Sequence, residues 1–485
     1  MTKKTAGLVA LLAALSVPAA AQDGKAAIAA AAKAMGADNL NAISYYGAGA
    51  TFNLGQSNNA NGAWPRSNVS DYVRSIDFTQ PSSRATGVTF VAPVTGGAAV
   101  QGQFQQNVTP ANPAWAQQLE IWITPWGFLK GAAANNAIAA PQVVGTRPYT
   151  VVTWSTPQKA PSGIPYKVVG YINNRNLVER VQTWLENPIF GDMLVEALYT
   201  EYRDANGVKY PSTIVQKRGG QPVFEAQILG IRANPSNIAE LVAVPAGGGR
   251  GGPGGGAPPA AAAGPTSEKL ADGVYRINGA YNALAIEFKD HIVLFEGGPQ
   301  SEARSLAIIA EAKKVIPGKP IRYSILTHHH FDHSSGLPAI VAEGATIITH
   351  DVNKNFLLTS LSAPRTLAPD VMSKSGKKPK VESVLEKRVL QDETRTVEIH
   401  HIVGLPHADG MLMVYLPKEK IAAYADMFNL PPADNPVPNP PVVGTQVFLA
   451  NLERLNIEPE RIMSVHSLNP DRLATKADIT KSLGR

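Results

Sequence analysis

The chain has 485 residues, 44% of them apolar and 17% charged, and no cysteine. That composition is globular, and zero cysteine excludes a disulfide framework, a thiolate nucleophile, a cysteine-ligated zinc and an iron–sulfur cluster. The formal net charge of +6 is mild for this length and gives no argument for a nucleic-acid partner. Position is more telling. All ten histidines lie between His291 and His466, and all six tryptophans between Trp64 and Trp184. One half has metal-ligand chemistry and the other has the large aromatics, so two domains with different jobs are expected.

Residues 1–21 read as a secretory signal. Lys3 and Lys4 precede an apolar run from Gly7 to Leu15, and Ala19-Ala20-Ala21 offers a small-residue cleavage site before Gln22. A periplasmic or secreted protein is expected, and loss of the two lysines would lower the net charge to +4. No stretch approaches the ~18 consecutive apolar residues of a membrane span.

Residues 22–244 read as a β-rich accessory domain. An alanine-rich helix is predicted over 25–35. Residues 149–154, 166–172 and 195–202 are rich in β-branched and aromatic side chains, and Asn173-Asn174, Asn206-Gly207 and Gly219-Gly220 mark turns. The predicted class is mainly antiparallel β, a curved sheet plus one helix. Trp115, Trp122, Trp126, Trp154 and Trp184 read first as core filling, and second as an apolar surface for a lipid-like substrate. A region without histidine is a poor candidate for acid–base or metal chemistry.

Residues 245–266 are almost wholly Gly, Pro and Ala and read as a linker. As a coil it would span about 25 Å. After it, over 267–485, strands and helices alternate. Residues 284–296 read as two strands around Lys289-Asp290. Residues 301–316 read as a helix on the stripe of Ile308, Ile309, Ala312, Val315 and Ile316, and 322–326 as a strand.

That strand runs into Thr327-His328-His329-His330-Phe331-Asp332-His333, the strongest signal in the chain. On an extended loop His328 and His330 point the same way and can grip one metal, while Asp332 and His333 fall to the other side and can start a second site. His407, Asp426 and His466 each follow a short apolar run, so each can sit on a loop at a strand end beside the others. His329 reads as supporting or exposed, His350 as structural, His400 and His401 as mid-strand, and His291 as exposed. Residues 351–389 mix a helical start with prolines and lysines, and read either as a pocket cap or as a surface excursion.

His-x-His-x-Asp-His followed by the later His, Asp and His resembles the metallo-β-lactamase superfamily over about residue 269 to the last. The resemblance implies an α/β fold, an αββα sandwich with the site at one edge. It implies that His328, His330 and His407 hold one metal, that Asp332, His333 and His466 hold a second, and that Asp426 bridges them. The cofactors it implies are two Zn²⁺, with Fe or Mn as alternatives. Two departures stand out. Where the family often has an Asp-x-Gly turn, this chain has Glu296-Gly297-Gly298, one carbon longer; and His466 sits in Ser464-Val465-His466-Ser467 rather than Pro-Gly-His-Gly. The helix-then-hairpins order before the linker, with Asp204-Ala-Asn-Gly-Val-Lys-Tyr-Pro211, resembles LolA/LppX-like lipoprotein-carrier half-barrels.

A metal pair ~3.5–4 Å apart lowers the pKa of water from near 16 towards 7. Such a site needs no cysteine or serine nucleophile. The expected function is an exported binuclear hydrolase acting with metal-generated hydroxide on an ester, thioester, lactone or amide of a small-molecule or lipid-like substrate. Asp332 would orient the hydroxide and shuttle its proton. Alternatives are a His-only β-lactamase, a non-haem iron oxidoreductase on the same scaffold, and a carrier of a lipid-like ligand.

Overall fold

A computed structural model of the chain describes residues 22–91, 100–244, 264–430, 437 and 440–485. The expected signal, 1–21, and most of the expected linker, 245–263, lie outside the described residues. Two bodies of secondary structure result, one built on a large antiparallel sheet and one on two smaller mixed sheets. Among the described residues no helix is long and apolar enough to cross a membrane.

The first body is a twelve-stranded sheet in which every paired neighbour runs antiparallel. Helix Lys25–Met35 forms where the alanine run predicts it, with Ile28, Ala31 and Met35 buried. The three predicted strands lie within Arg147–Lys159, Pro165–Ile172 and Gly191–Ala205. From Gly191 to Tyr199 every second residue is buried, the period of a strand with one face on a core. Asn206-Gly207 closes a two-residue hairpin between Ala205 and Val208. Both residues have positive φ, which matches the twist of the flanking strands.

The expectation of a single helix followed by strands needs correction. Trp115–Trp122 and Pro125–Ala134 are helices. Thr124 starts the second, its hydroxyl accepting from Gly127 N at 3.1 Å, with Pro125 in the first helical position. Trp115 and Trp126 therefore project from helices, and with Trp154 they are almost fully buried. One core joins both helices to strands from distant parts of the sheet, so the sheet curls over them. Trp115, Trp126 and Trp154 are core, as the simpler expectation had it, and Trp122 and Trp184 pack against that core partly buried.

The second body is the expected αββα sandwich. Leu284, Ile286, Val293 and Phe295 of a seven-stranded sheet meet Val397, Ile399, Leu412 and Val414 of a five-stranded sheet. Helices Glu302–Val315 and Leu337–Glu343 cover the outer face of the first sheet, and Val443–Arg454 covers that of the second. Strands Ile292–Phe295, Ile321–Ile325 and Thr346–His350 pair in parallel, as do Ile421–Tyr424 and Arg461–Ser464. Their carboxyl ends open onto loops at one edge, where a rigid sheet can place side chains from distant sequence positions.

The two bodies touch directly. Arg365, 7% exposed, donates to the carbonyls of Pro188 (2.9 Å) and Ile189 (3.1 Å) and pairs with Asp370 at 3.0 Å. Asp192 accepts from Thr366 N, Thr366 Oγ1 and Leu367 N, and Leu367 is buried in the core of the large sheet. Gly191 has φ +63°, and a Cβ there would lie 2.2 Å from Pro364 O, so the close approach requires glycine. Within the 351–389 segment, residues 364–367 dock on the large sheet, a contact that neither expected reading included. Arg365→Ala is expected to cost about 3 kcal/mol, because it breaks an ion pair whose side chains are 3% and 13% exposed and removes the donor to two carbonyls. A lowered urea midpoint for the full chain checks this; an unchanged midpoint refutes it.

Candidate metal centre

Seven side chains converge at the sheet edge: His328, His330, Asp332, His333, His407, Asp426 and His466. They form three overlapping groups of potential ligand atoms, each group within 4.8 Å: His328 with His330 and His407, His328 with His333 and Asp426, and Asp332 with His333 and His466. The two groups implied by the resemblance are both present, and Asp426 lies between them. Its Oδ2 is 3.0 Å from His333 Nε2 and 3.8 Å from His328 Nε2; its Oδ1 is 2.9 Å from His466 Nε2 and 3.8 Å from His407 Nε2.

Local structure explains the convergence. Strand Ile321–Ile325 delivers His328, and Phe331–Ser334 is a short helix rather than the extended loop expected from sequence. Helical turning at Phe331 swings Asp332 and His333 away from the His330 side. Asp426 follows strand Ile421–Tyr424 with φ +57°, a left-handed backbone uncommon for a residue with a Cβ. His466 follows Arg461–Ser464, and its backbone bridges to Tyr281. Asn282 N donates to Val465 O at 2.6 Å, and the Tyr281 ring lies 4.4 Å from the His466 ring. The unusual Ser-Val-His-Ser context therefore still brings His466 to the site.

The ring nitrogens are sorted by their other partners. His328 Nδ1 meets Thr327 Oγ1 at 3.0 Å, leaving Nε2 to face His407 Nε2 at 3.3 Å. His330 donates Nε2–H to Ser57 O at 2.9 Å, and its Nδ1 is buried with no hydrogen-bond partner among the described residues. His333 donates Nδ1–H to Glu296 Oε2 at 2.8 Å, leaving Nε2 to face Asp426 and His466. Ring nitrogens converge here with the carboxylate oxygens of Asp332 and Asp426. That is the arrangement a cation satisfies, and imidazole with carboxylate suits zinc and its neighbours.

Electrostatics agree for the His328–His330–His407 group. Burial, with His333 and the other rings, holds His328 well below the usual histidine range, and burial pushes His330 down to about 3. His407 is also lowered, chiefly by burial. These three are neutral near pH 7, the form that binds metal. Burial works against charge on His333, but the Asp426 and Glu296 carboxylates outweigh it and raise its pKa well above the ordinary value. Burial works against charge on Asp332 and Asp426 too, yet His333 and hydrogen bonds keep both below the usual carboxylate range. Asp332 and His466 are each about one-third exposed, at 33% and 30%, whereas His328 and His333 are fully buried, so the site opens on the Asp332–His466 side.

Four supporting residues were not assigned a place from sequence, or were left without a settled role. Glu296, fully buried at φ +57°, accepts from Thr327 N at 2.7 Å as well as from His333. The longer side chain thus ties the ligand loop to the neighbouring strand. Tyr281 OH donates to Asp332 Oδ2 at 2.8 Å, and Gln56 Nε2 donates to Asp332 Oδ1 at 2.8 Å. Ser57 O accepts from both His329 and His330 at 2.9 Å. Gln56 and Ser57 belong to the region judged a poor candidate for metal chemistry, and nothing in its composition marks them. His291 corrects an expectation: it is buried, stacked on Phe288 and paired with Asp290 at 2.6 Å, because the hairpin tip packs against Tyr323. His329 is buried, and the His350 and His401 rings pack with centres 4.1 Å apart, tilted by 35°, away from the seven converging side chains.

Residues 276–455 match the family model described as the metallo-beta-lactamase superfamily. The C-terminal region belongs to that superfamily. The match includes every metallo-β-lactamase position named above except His466, which only the fold brings in. A search of curated proteins found no match. Among solved structures, the metallo-beta-lactamase of Erythrobacter litoralis with β-mercaptoethanol in its active site is 18% identical, over 46% of this chain and 95% of that one, at a TM-score of 0.33. That of Pontibacter korlensis is 14% identical over 45% and 97%, at 0.33. Rubredoxin oxygen:oxidoreductase of Desulfovibrio gigas is 18% identical over 45% and 61%, at 0.32. Likeness at this level does not bear on substrate.

Proposed function

We propose that the protein is an exported metallohydrolase that holds two metal ions, zinc first among them, and cleaves an ester, thioester, lactone or amide in a small molecule. The observation that carries this reading is the pair of three-donor groups, His328–His330–His407 and Asp332–His333–His466, with Asp426 between them. Export rests on the signal-like pattern of residues 1–21.

When bound, such a metal pair supplies an activated water near neutral pH and polarises the scissile carbonyl. The protein's own residues do the rest. Asp332, held ionised and pinned through both oxygens by Gln56 and Tyr281, orients the attacking water, takes its proton and passes it to the leaving group. The buried rings of His328 and His333 close the inner side of the site to solvent.

The test is metal analysis of the purified full chain with a hydrolysis panel: a lactone, a thioester, an aryl ester, a β-lactam and a phosphodiester. About two metals per chain and turnover lost on chelation are the expected results. A folded chain that takes up no metal, or whose turnover survives complete metal removal, overturns the proposal.

A further inference from the structure

The loop over 53–65 leaves the large sheet between strands Ala42–Phe52 and Arg66–Asp77 and lies across the ligand segments of the other body. Its base is closed by Asn53 N donating to Pro65 O at 2.9 Å, and Trp64 anchors it against Ala50 and Phe52. From that base it reaches three places. Gly55 O accepts from Phe331 N at 3.2 Å, and Ser57 O accepts from the two ring N–H groups of His329 and His330. Gln56 Nε2 donates to Asp332 Oδ1. Asn58 O accepts from Asp409 N at 2.7 Å, and Asn58 Nδ2 donates to Pro406 O at 3.0 Å, on the two sides of His407.

Each contact settles something that the ligand segments leave open. An imidazole has two tautomers, and the proton held on His330 Nε2 by Ser57 O puts the lone pair on Nδ1, the buried atom without a partner among the described residues. A carboxylate on a four-residue helix has rotational freedom. Gln56 on Oδ1 and Tyr281 on Oδ2 remove it for Asp332, the most exposed member of the Asp332–His333–His466 group.

We propose that the 53–65 loop is a clamp by which the large-sheet body completes the metal centre, with Gln56 as a positioning residue that sets occupancy of the Asp332–His333–His466 site. The proposal rests on the metallohydrolase reading. It makes metal loading and docking of the two bodies one linked equilibrium. It also gives the large-sheet body a role at the centre that is separate from binding a ligand of its own.

The experiment uses the full chain and Co²⁺ or Zn²⁺ alone, titrated against a competing chelator, with the visible spectrum of the cobalt form as a second readout. Gln56→Ala is expected to weaken the second equivalent about 10- to 100-fold and change its cobalt spectrum, while the first equivalent is unaffected. The exposed loop variant Asn61→Ala should bind both equivalents as the parent does. Hydrogen exchange of the parent chain adds a readout without substitution: amides of 53–65 should exchange faster once metal is removed. Gly55→Ala covers the case in which Gln56→Ala does not fold. Gly55 has φ +79° and a Cβ there would lie 2.3 Å from Phe331 Cγ, so the loop must lift, and both equivalents should weaken. Parent-like affinities and spectrum in Gln56→Ala, or loop exchange indifferent to metal, overturn the clamp while leaving the metallohydrolase reading intact. A parent chain that binds no metal overturns that reading instead.

Discussion

His330→Ala is expected to lower turnover by at least about a thousand-fold, roughly 4 kcal/mol of transition-state stabilisation. The His328–His330–His407 group offers one atom from each side chain, so truncation leaves two donors where three converge. A two-donor remnant cannot hold a divalent ion against water in a geometry that polarises a carbonyl. The fold should persist. Ser57 O keeps its contact from His329, and the loss in stability should be about 1–3 kcal/mol, that of one buried hydrogen bond with its desolvated partner. Metal per chain, turnover and the urea midpoint distinguish these effects. A variant with full metal content and parental turnover would remove His330 from the ligand set.

Glu296→Ala is expected to cost about 3–5 kcal/mol of stability, against a total for a typical domain of about 5–15. The carboxylate is fully buried and accepts from Thr327 N and His333 Nδ1. Without it, a buried amide loses its acceptor at that strand end, and a buried imidazole loses the carboxylate that holds its Nδ1–H. Metal affinity should fall as well, because His333 is no longer fixed in the tautomer that presents Nε2. Glu296→Gln should lie between: its carbonyl can still accept from Thr327, but its amide faces His333 with a donor. Denaturation midpoints and metal affinity for the two variants give the order. A Glu296→Ala chain as stable as the parent would refute the argument.

How much of this was legible varies with the physics of each element. Helix Lys25–Met35, the hairpin at Asn206-Gly207 and helix Glu302–Val315 follow from local signals: alanine propensity, a turn dipeptide that tolerates positive φ, and an apolar stripe of helical period. Helices Trp115–Trp122 and Pro125–Ala134 carried equally local signals. Thr124-Pro125 is a cap and first turn, and Trp115, Leu119 and Trp122 are spaced at helical intervals, signals that the expectation of one helix followed by strands does not use. The burial of His291 was not legible, since it depends on Tyr323 from the next strand.

The sequence alone determined the chemistry: an all-His/Asp donor set, no thiol, and ligands that each follow an apolar run short enough to be a strand. Those properties are local, because donor type is covalent and strand endings are set by neighbouring residues. Only the tertiary structure decided how the donors are held. Glu296, Tyr281, Gln56 and Ser57 lie 31 to 276 positions from the groups they orient, and a hydrogen bond across such separations has no period or motif in the chain. The region before the linker, which has no histidine, thus looked unrelated to the metal centre by composition. Packing brings its loop within 2.8 Å of Asp332, since the curled sheet and the sandwich share an interface that neither half encodes alone.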